Sequence, residues 1–493
     1  MLPALAAAAS VLIVNALVVD GTGSPGRTAA VRVRGDRIAE VGALSPAPGE
    51  TVVDAKGLVL APGFIDTHSH GDHGLFEHRD ALAAVSQGIT TIVVGQDGGS
   101  PWPLADFFGR LEKEPAALNV ASYAGHGRIR RQVMGEDFRR AARPEEVARM
   151  RELLEQELRA GALGLSSGLE YDPGIFSARS EVVDLARVAA AAGGRYISHV
   201  RSEDRYFWDA IDEIIAIGRE AKLPVQVSHM KLAMLTLWGQ ADRLLRTLDQ
   251  ARAAGVDITA DVYPYLYWQS TLTVLFPERD FENRKTAELV LREIAAPDGL
   301  LLGRFAPEPS YAGKTLAEIA RLRGTDPPAT LMDLIREALA YEKKTGSDDV
   351  ESVIGTSMSE PDLEKLLAWP YTNVCTDGEL DGRHPRGFGT YPRVLGRYVR
   401  ERKVLSLPEA VRKMTSLAAR NVGLSDRGEI RPGAHADLVL FDPATVIDRA
   451  TTREPQAVAT GIERVWVNGV AVYEAGRAGA PRPGRVLRRE TKR

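Results

Sequence analysis

One cysteine in 493 residues, Cys375, rules out an intramolecular disulfide, so packing, alone or with metal, must supply the stability that crosslinks would otherwise give. That usage favours a reducing compartment, and a cytoplasmic location is the expectation. Charge of one sign is also missing. The 62 Lys and Arg stand against 66 Asp and Glu, a net charge of −4, which gives no electrostatic reason to expect nucleic acid or an anionic membrane as partner. Long hydrophobic runs are lacking as well. An alanine-rich start leads into the apolar residues 11–19, but Asn15 interrupts them and no Lys or Arg precedes them, so they suit a strand better than a membrane segment or a secretory leader. The trimmed end of a leader is the alternative. Walker-type, dinucleotide-binding and zinc-ribbon patterns are absent.

What is present is an ordinary globular composition, 44% apolar and 26% charged, in a chain too long for one hydrophobic core. Short β-rich runs punctuated by Gly and Asp fill residues 11–60, and the same texture returns in RGEIRPGAHADLVLFDPATV and around 462–469. Residues 1–61 and 425–493 are therefore expected to build one small β-sandwich domain from both chain termini. Between them, over 62–424, strand-like runs alternate with Ala- and Leu-rich helical text, the pattern of βαβ units. Polar residues close these runs near His70, Gln96, His126, Glu170, His199, His229, Asp261 and Asp377. Eight such units predict an α/β fold, a (β/α)8 TIM-like barrel whose strand ends gather the chemistry. The long interval between Asp261 and Asp377 holds an insertion at about 276–350, between strands seven and eight, placed to act as a lid.

His68 and His70 lie two apart on a probable strand, so both imidazoles face one side and invite a divalent cation. Taken alone, such a pair is as readily two ordinary histidines. His199 in YISHVRSE and His229 in VQVSHMK each close a run one βα unit apart, and Asp377 in NVCTDGEL closes another. Four of nine histidines and an aspartate at strand ends are hard to produce by chance. His73, His78, His384 and His435 read as loop residues, and Cys375 as a core residue turned away from the metal side.

The blocks NALVVDGTG, APGFIDTHSHGD, TTIVVGQDGGS, GHGRIRRQVMG, GALGLSSGLEYDPGIFS, ISHVRSE, SHMK, DVYPY, TDG with HPRGFGTYPRVLGRYVRE, and RGEIRPGAHADLVLFDP together resemble the amidohydrolase superfamily and, within it, the N-acyl-D-amino-acid deacylases, over nearly the whole chain. The resemblance implies a centre of one or two Zn2+ ions, with His68 and His70 on one cation, His199 and His229 on the other, and Asp377 both ligand and proton carrier. It also implies hydrolysis of the amide bond of N-acyl-D-amino acids, or related amides, by metal-activated hydroxide. One departure stands out: the family's metal-ligating cysteine after the second strand is matched by Gln96, a poor substitute for a thiolate. Glu170, at the end of the fourth strand, is expected to take over as the bridging ligand, the other reading being a structural ion pair.

The expected partner is a small-molecule amide, with homo-oligomerisation left open. Candidates for holding it are His126, Tyr171, Lys231, Tyr263 and Arg386, with Lys231 and Arg386 favoured only through the resemblance and Arg383 a weaker choice; Tyr267 and Trp268 suggest an apolar wall for the acyl group or side chain. Cyclic-amide hydrolysis or dipeptide hydrolysis is the neighbouring alternative, though its usual strand-four lysine is missing. A catalytically inactive scaffold is the alternative from another class, suggested only by Gln96.

Overall fold

The structure, a computed structural model, describes residues 10–347, 349–356 and 358–490. Most of the alanine-rich start, residues 1–9, lies outside the described residues. Eight parallel strands form the barrel: Phe64–Asp66, Ile89–Val94, a broken third strand (Asn119–Ser122 and Ala124–Gly125), Gly164–Gly168, Arg195–His199, Val225–Val227, Ile258–Val262 and Thr372–Val374. Their residues are buried almost throughout, and the second reads ITTIVV, the β-branched run that a strand covered on both faces requires. The intervening helices show why they start and stop where they do. In Pro144–Ala160, proline opens the first turn, Glu146 reaches back to the Arg143 N–H at 2.7 Å, and Gly161 ends the helix in the left-handed conformation. One face of that helix buries Met150, Leu154 and Leu158.

The ring closes between the last and first strands. Asp377 N–H donates to the His68 carbonyl at 2.8 Å, and His70 N–H to the Gly378 carbonyl at 2.9 Å. Just below, the buried Asp66 carboxyl accepts from Thr376 N–H at 2.9 Å and from the Thr376 hydroxyl at 2.5 Å. The closure thus sets His68, His70 and Asp377 side by side.

Strands from both ends of the chain share one nine-stranded sheet. Val59–Pro62 pairs antiparallel with Leu438–Phe441, joining the N-terminal strands Ser10–Val18, Arg27–Arg34 and Arg37–Gly42 to Ile462–Val467 and Val470–Glu474. This sheet has its own apolar cluster, including Ile13, Val31, Leu438 and Trp466. Between the seventh and eighth barrel strands, Tyr267–Ser270, Leu300–Phe305 and Glu351–Thr356 make a three-stranded sheet that packs, with helices Arg284–Glu293 and Pro327–Thr345, around a further core. Arg279 ties this insertion to the loop after the fourth strand, donating to Asp172 at 2.9 Å and to the Glu170 carbonyl at 2.8 Å. Among the described residues, no helix is long and apolar enough to cross a membrane.

Removing the Asp66 carboxyl strands the buried Thr376 donors at the barrel seam. Asp66→Ala should therefore cost about 2 to 4 kcal/mol, read as a lowered thermal midpoint. A wild-type midpoint would show that closure does not depend on this link.

Candidate metal centre

The chemistry gathers at the carboxyl ends of the strands. His68 and His70 follow the first strand with ring centroids 5.4 Å apart, and the His229 ring lies 4.9 Å from His68 and 4.7 Å from His199. Asp97, in the loop after the second strand, enters this group. One of its oxygens is 3.4 Å from His68 Nε2 and 3.6 Å from His229 Nε2, and the other is 3.4 Å from His70 Nε2. Ligand atoms of His68, His70, Asp97 and Asp377 form one compact set, and those of Asp97, His199 and His229 a second. Asp97 is the carboxylate common to both.

The backbone around these groups is unusual. Asp97, His229 and Asp377 all have positive φ, at 53°, 32° and 50°, a region that non-glycine residues seldom occupy and that clusters at functional sites. Gly95 and Gly98 bracket Asp97, each with positive φ. A Cβ on Gly95 would come 2.4 Å from the Tyr123 carbonyl oxygen, and one on Gly98 2.9 Å from Gly168 N. The tight loop reverses the pleat, so Gln96 turns back and donates to the Thr67 and Val93 carbonyls, both at 2.9 Å, while Asp97 faces the histidines. The position read as Gln96 thus belongs spatially to Asp97.

Charge pairing leaves one anion uncompensated. Asp377 Oδ2 accepts from Arg386 at 2.6 Å, and Glu203 accepts from Lys231 Nζ at 2.6 and 2.8 Å. Asp97 has no Lys or Arg partner, and its Oδ1 is buried without a hydrogen bond, as are both ring nitrogens of His68. A dehydrated carboxylate among imidazoles with unused lone pairs is the donor set a divalent cation satisfies, so these residues fit zinc. The titration tendencies agree. Burial alone would raise the Asp97 carboxyl, yet His68 and His229 hold it well below the usual carboxylate range. Burial and Lys231 oppose protonation of His229, but Glu203, Asp377 and Asp97 carry it up to about 10. For Asp377, the Arg386 guanidinium and His229 overcome burial and hold the carboxyl well below its ordinary value.

Glu170 stands outside both sets that share Asp97. Its Oε2 meets His199 Nε2 at 2.8 Å, and burial together with Asp204 and Glu203 pushes its carboxyl well above the usual range. With His199 and Glu203 it forms a third compact set, which touches the histidine centre through His199 and does not include His68 or His70. Tyr171 stacks on His199, centroids 4.4 Å apart, with its hydroxyl 3.1 Å from Nδ1. Lys231 lies between Glu203 and His229 Nδ1, and Tyr263 sits behind Lys231 and Arg386 with a buried, unpartnered hydroxyl. His126 is not brought to the centre: it opens the helix His126–Met134, and its Nε2 meets Glu181 at 2.8 Å beside the fully buried Arg130. Trp268 lines the cavity above the centre, whereas Tyr267 packs against His384. His384 and His435 lie in loops as expected and are buried there, the former among three tyrosines and the latter paired with Asp426. Cys375 is buried, its thiol 3.1 Å from Asp261.

Two groups were not singled out from the sequence, Asp97 and Glu203. An acid between close glycines just past a strand end was the available signal for the first. For the second it was an acid four residues after His199, within reach of His229 Nδ1 at 3.0 Å. The centre opens into a cavity of about 720 Å3, within the range of small-molecule sites, whose outer wall comes from the insertion.

Comparison with known proteins gives the same picture over the full length. The chain is 39% identical to N-acyl-D-glutamate deacylase of Alcaligenes xylosoxydans xylosoxydans, covering 96% of this chain and 95% of that protein. It is 37% identical to D-aminoacylase of the same organism, covering 97% of each. The crystal structure of N-acyl-D-glutamate deacylase from Bordetella bronchiseptica, complexed with zinc and a phosphonate inhibitor, superimposes with a TM-score of 0.86 at 36% identity, covering 97% of this chain and 99% of that one. The family model described as Amidohydrolase family matches residues 51–303 and 310–473, which take in every strand of the barrel and each residue of the centre, and the chain belongs to that family.

Proposed function

We propose that the protein is a zinc-dependent deacylase that hydrolyses the amide bond of N-acyl-D-amino acids. The observation that carries this reading is Asp97, a half-buried carboxylate whose Oδ1 is shielded from solvent and which has no Lys or Arg partner, shared between His68 and His70 on one side and His199 and His229 on the other. These five residues would hold the metal, with Asp377 beside the first pair. The activities of the similar deacylases and the zinc in the Bordetella structure support the substrate class and the metal. A bound zinc ion lowers the pKa of water and polarises a carbonyl oxygen.

The side chains do the rest. Asp377 Oδ2 is committed to Arg386, which leaves Oδ1, 3.1 Å from His70 Nε2, as the atom that takes the proton from attacking water. Because Arg386 disfavours the protonated acid, the proton is held only briefly and passes readily to the departing nitrogen, which is otherwise too basic to leave. Glu203 and Lys231 fix the His229 ring from behind, as partners of metal-binding histidines do. Glu170 does the same for His199 through Nε2, 2.8 Å away, the Nδ1 nitrogen facing His229. The single, buried Cys375 fits a reducing, cytoplasmic setting.

The direct test is release of amino acid from matched N-acetyl-D- and N-acetyl-L-amino acids by the zinc-loaded protein. D-selective release is expected; release from neither, or from the L series alone, contradicts the assignment. Two variants separate the roles. Asp377→Asn should keep its metal and lose about 10²- to 10⁴-fold in turnover, and near wild-type turnover would remove Asp377 from proton transfer. Asp97→Asn should lose metal by elemental analysis, whereas Glu170→Gln and Gln96→Leu should retain it. The opposite order would return the bridging role to Glu170.

A further inference from the structure

The outer cavity wall carries a carboxyl that the mechanism does not use. Glu351 begins the strand Glu351–Thr356 of the insertion, and its Oε1 accepts from Leu272 N–H at 2.7 Å. Its Oε2 is shielded from solvent and has no hydrogen-bond partner, although the residue as a whole is half-buried. Burial pushes this carboxyl up to about 8, which marks an acid with no counter-charge. The same cavity wall carries the apolar Trp268, Val274, Leu275 and Ile294 interspersed with Ser270, Thr271 and Ser352, a surface against which a methylene chain can lie.

The cations on the cavity wall are largely taken. Lys231 is bound to Glu203, Arg386 to Asp377 and Arg304 to Asp349, leaving Arg383 at the exposed rim. A substrate side chain ending in a carboxylate would meet Glu351 with no buried cation to receive it. One ending in an ammonium or guanidinium would find a partly apolar path and an unused acceptor at its end.

On the deacylase reading, we infer that Glu351 makes this site selective for N-acyl-D-amino acids with long basic side chains, and that it discriminates against acidic ones. An ammonium or guanidinium brought beside the free Oε2 favours the ionised carboxyl over the neutral one and is held by it, whereas a carboxylate finds no buried cation and opposes that ionisation; these are the attractive and repulsive components of a specificity switch. This differs from the substrates for which the similar glutamate and aspartate deacylases are named.

The test compares kcat/KM for the N-acetyl derivatives of D-lysine, D-norleucine and D-glutamate. The wild type should favour lysine over glutamate by at least about tenfold, and Glu351→Gln should lower the lysine-to-norleucine ratio by at least about tenfold. Glu351→Asp, which keeps the charge but shortens the reach, should lower that ratio too, and it serves if the glutamine variant fails to fold. An unchanged ratio in either variant, or a wild type that prefers glutamate, overturns the inference. If none of the derivatives is hydrolysed, the deacylase reading fails on its own. Calorimetric titration of the zinc-loaded protein with N-acetyl-D-lysine and N-acetyl-D-glutamate then decides the role of Glu351, and equal affinities, or lysine affinity unaltered by Glu351→Gln, would refute it.

Discussion

A carboxylate surrounded by imidazoles, with one oxygen shielded from water and no Lys or Arg beside it, is the constraint on which this site turns. Leaving Asp97 ionised and uncompensated would be costly, since an unpaired charge away from water must either find an opposite charge or give up its own. No guanidinium or ammonium pairs with it, and the nearest groups are His68, His70 and His229, whose Nε2 atoms lie 3.4 to 3.6 Å away, that of His68 without any hydrogen-bond partner. A divalent cation resolves both problems together. The neighbouring acids do not compete for that role, because Asp377 and Glu203 already have basic partners.

The scaffold reads as a means of holding this arrangement in place. Barrel closure through Asp66 and Thr376 aligns the loop carrying Asp377 with the one carrying His68 and His70. Left-handed backbone at Asp97, His229 and Asp377 aims three side chains in directions that an extended strand would not allow, and the close packing of Gly95 and Gly98 fixes the loop between them. The insertion completes the enclosure: Arg279 fastens it to the loop after the fourth strand, and its sheet supplies the outer cavity wall. In the proposed mechanism, metal affinity, proton transfer and substrate choice are thereby distributed over the barrel rim, the loop carrying Asp377 and the insertion.

Much of this was legible in the residues, and the gaps have physical causes. Strand-helix alternation gave the barrel because short β-rich runs, ITTIVV most plainly, recur between helical stretches, and both chain ends showed the short punctuated runs that meet in one sheet. His68, His70, His199, His229 and Asp377 were visible because they follow such runs. The step from Gln96 to Asp97 was not, because period-two counting holds only while the strand lasts. One left-handed residue past Val94 reverses which side chain faces the centre. His126 misled for a related reason: it begins a helix, so its ring turns towards Glu181 and Arg130. Glu203 and Glu351 went unremarked, since only the fold brings one to Lys231 and leaves the other facing a cavity.

The central claim, that Asp97 is the carboxylate shared by the metal-binding histidines, is tested most directly by anomalous diffraction from zinc-loaded crystals recorded at the zinc absorption edge. The account predicts density bonded to Asp97 and to at least one of the two histidine pairs, His68 with His70 or His199 with His229. Zinc held by Glu170 with Asp97 unligated, or no zinc among these residues after saturation, would contradict it.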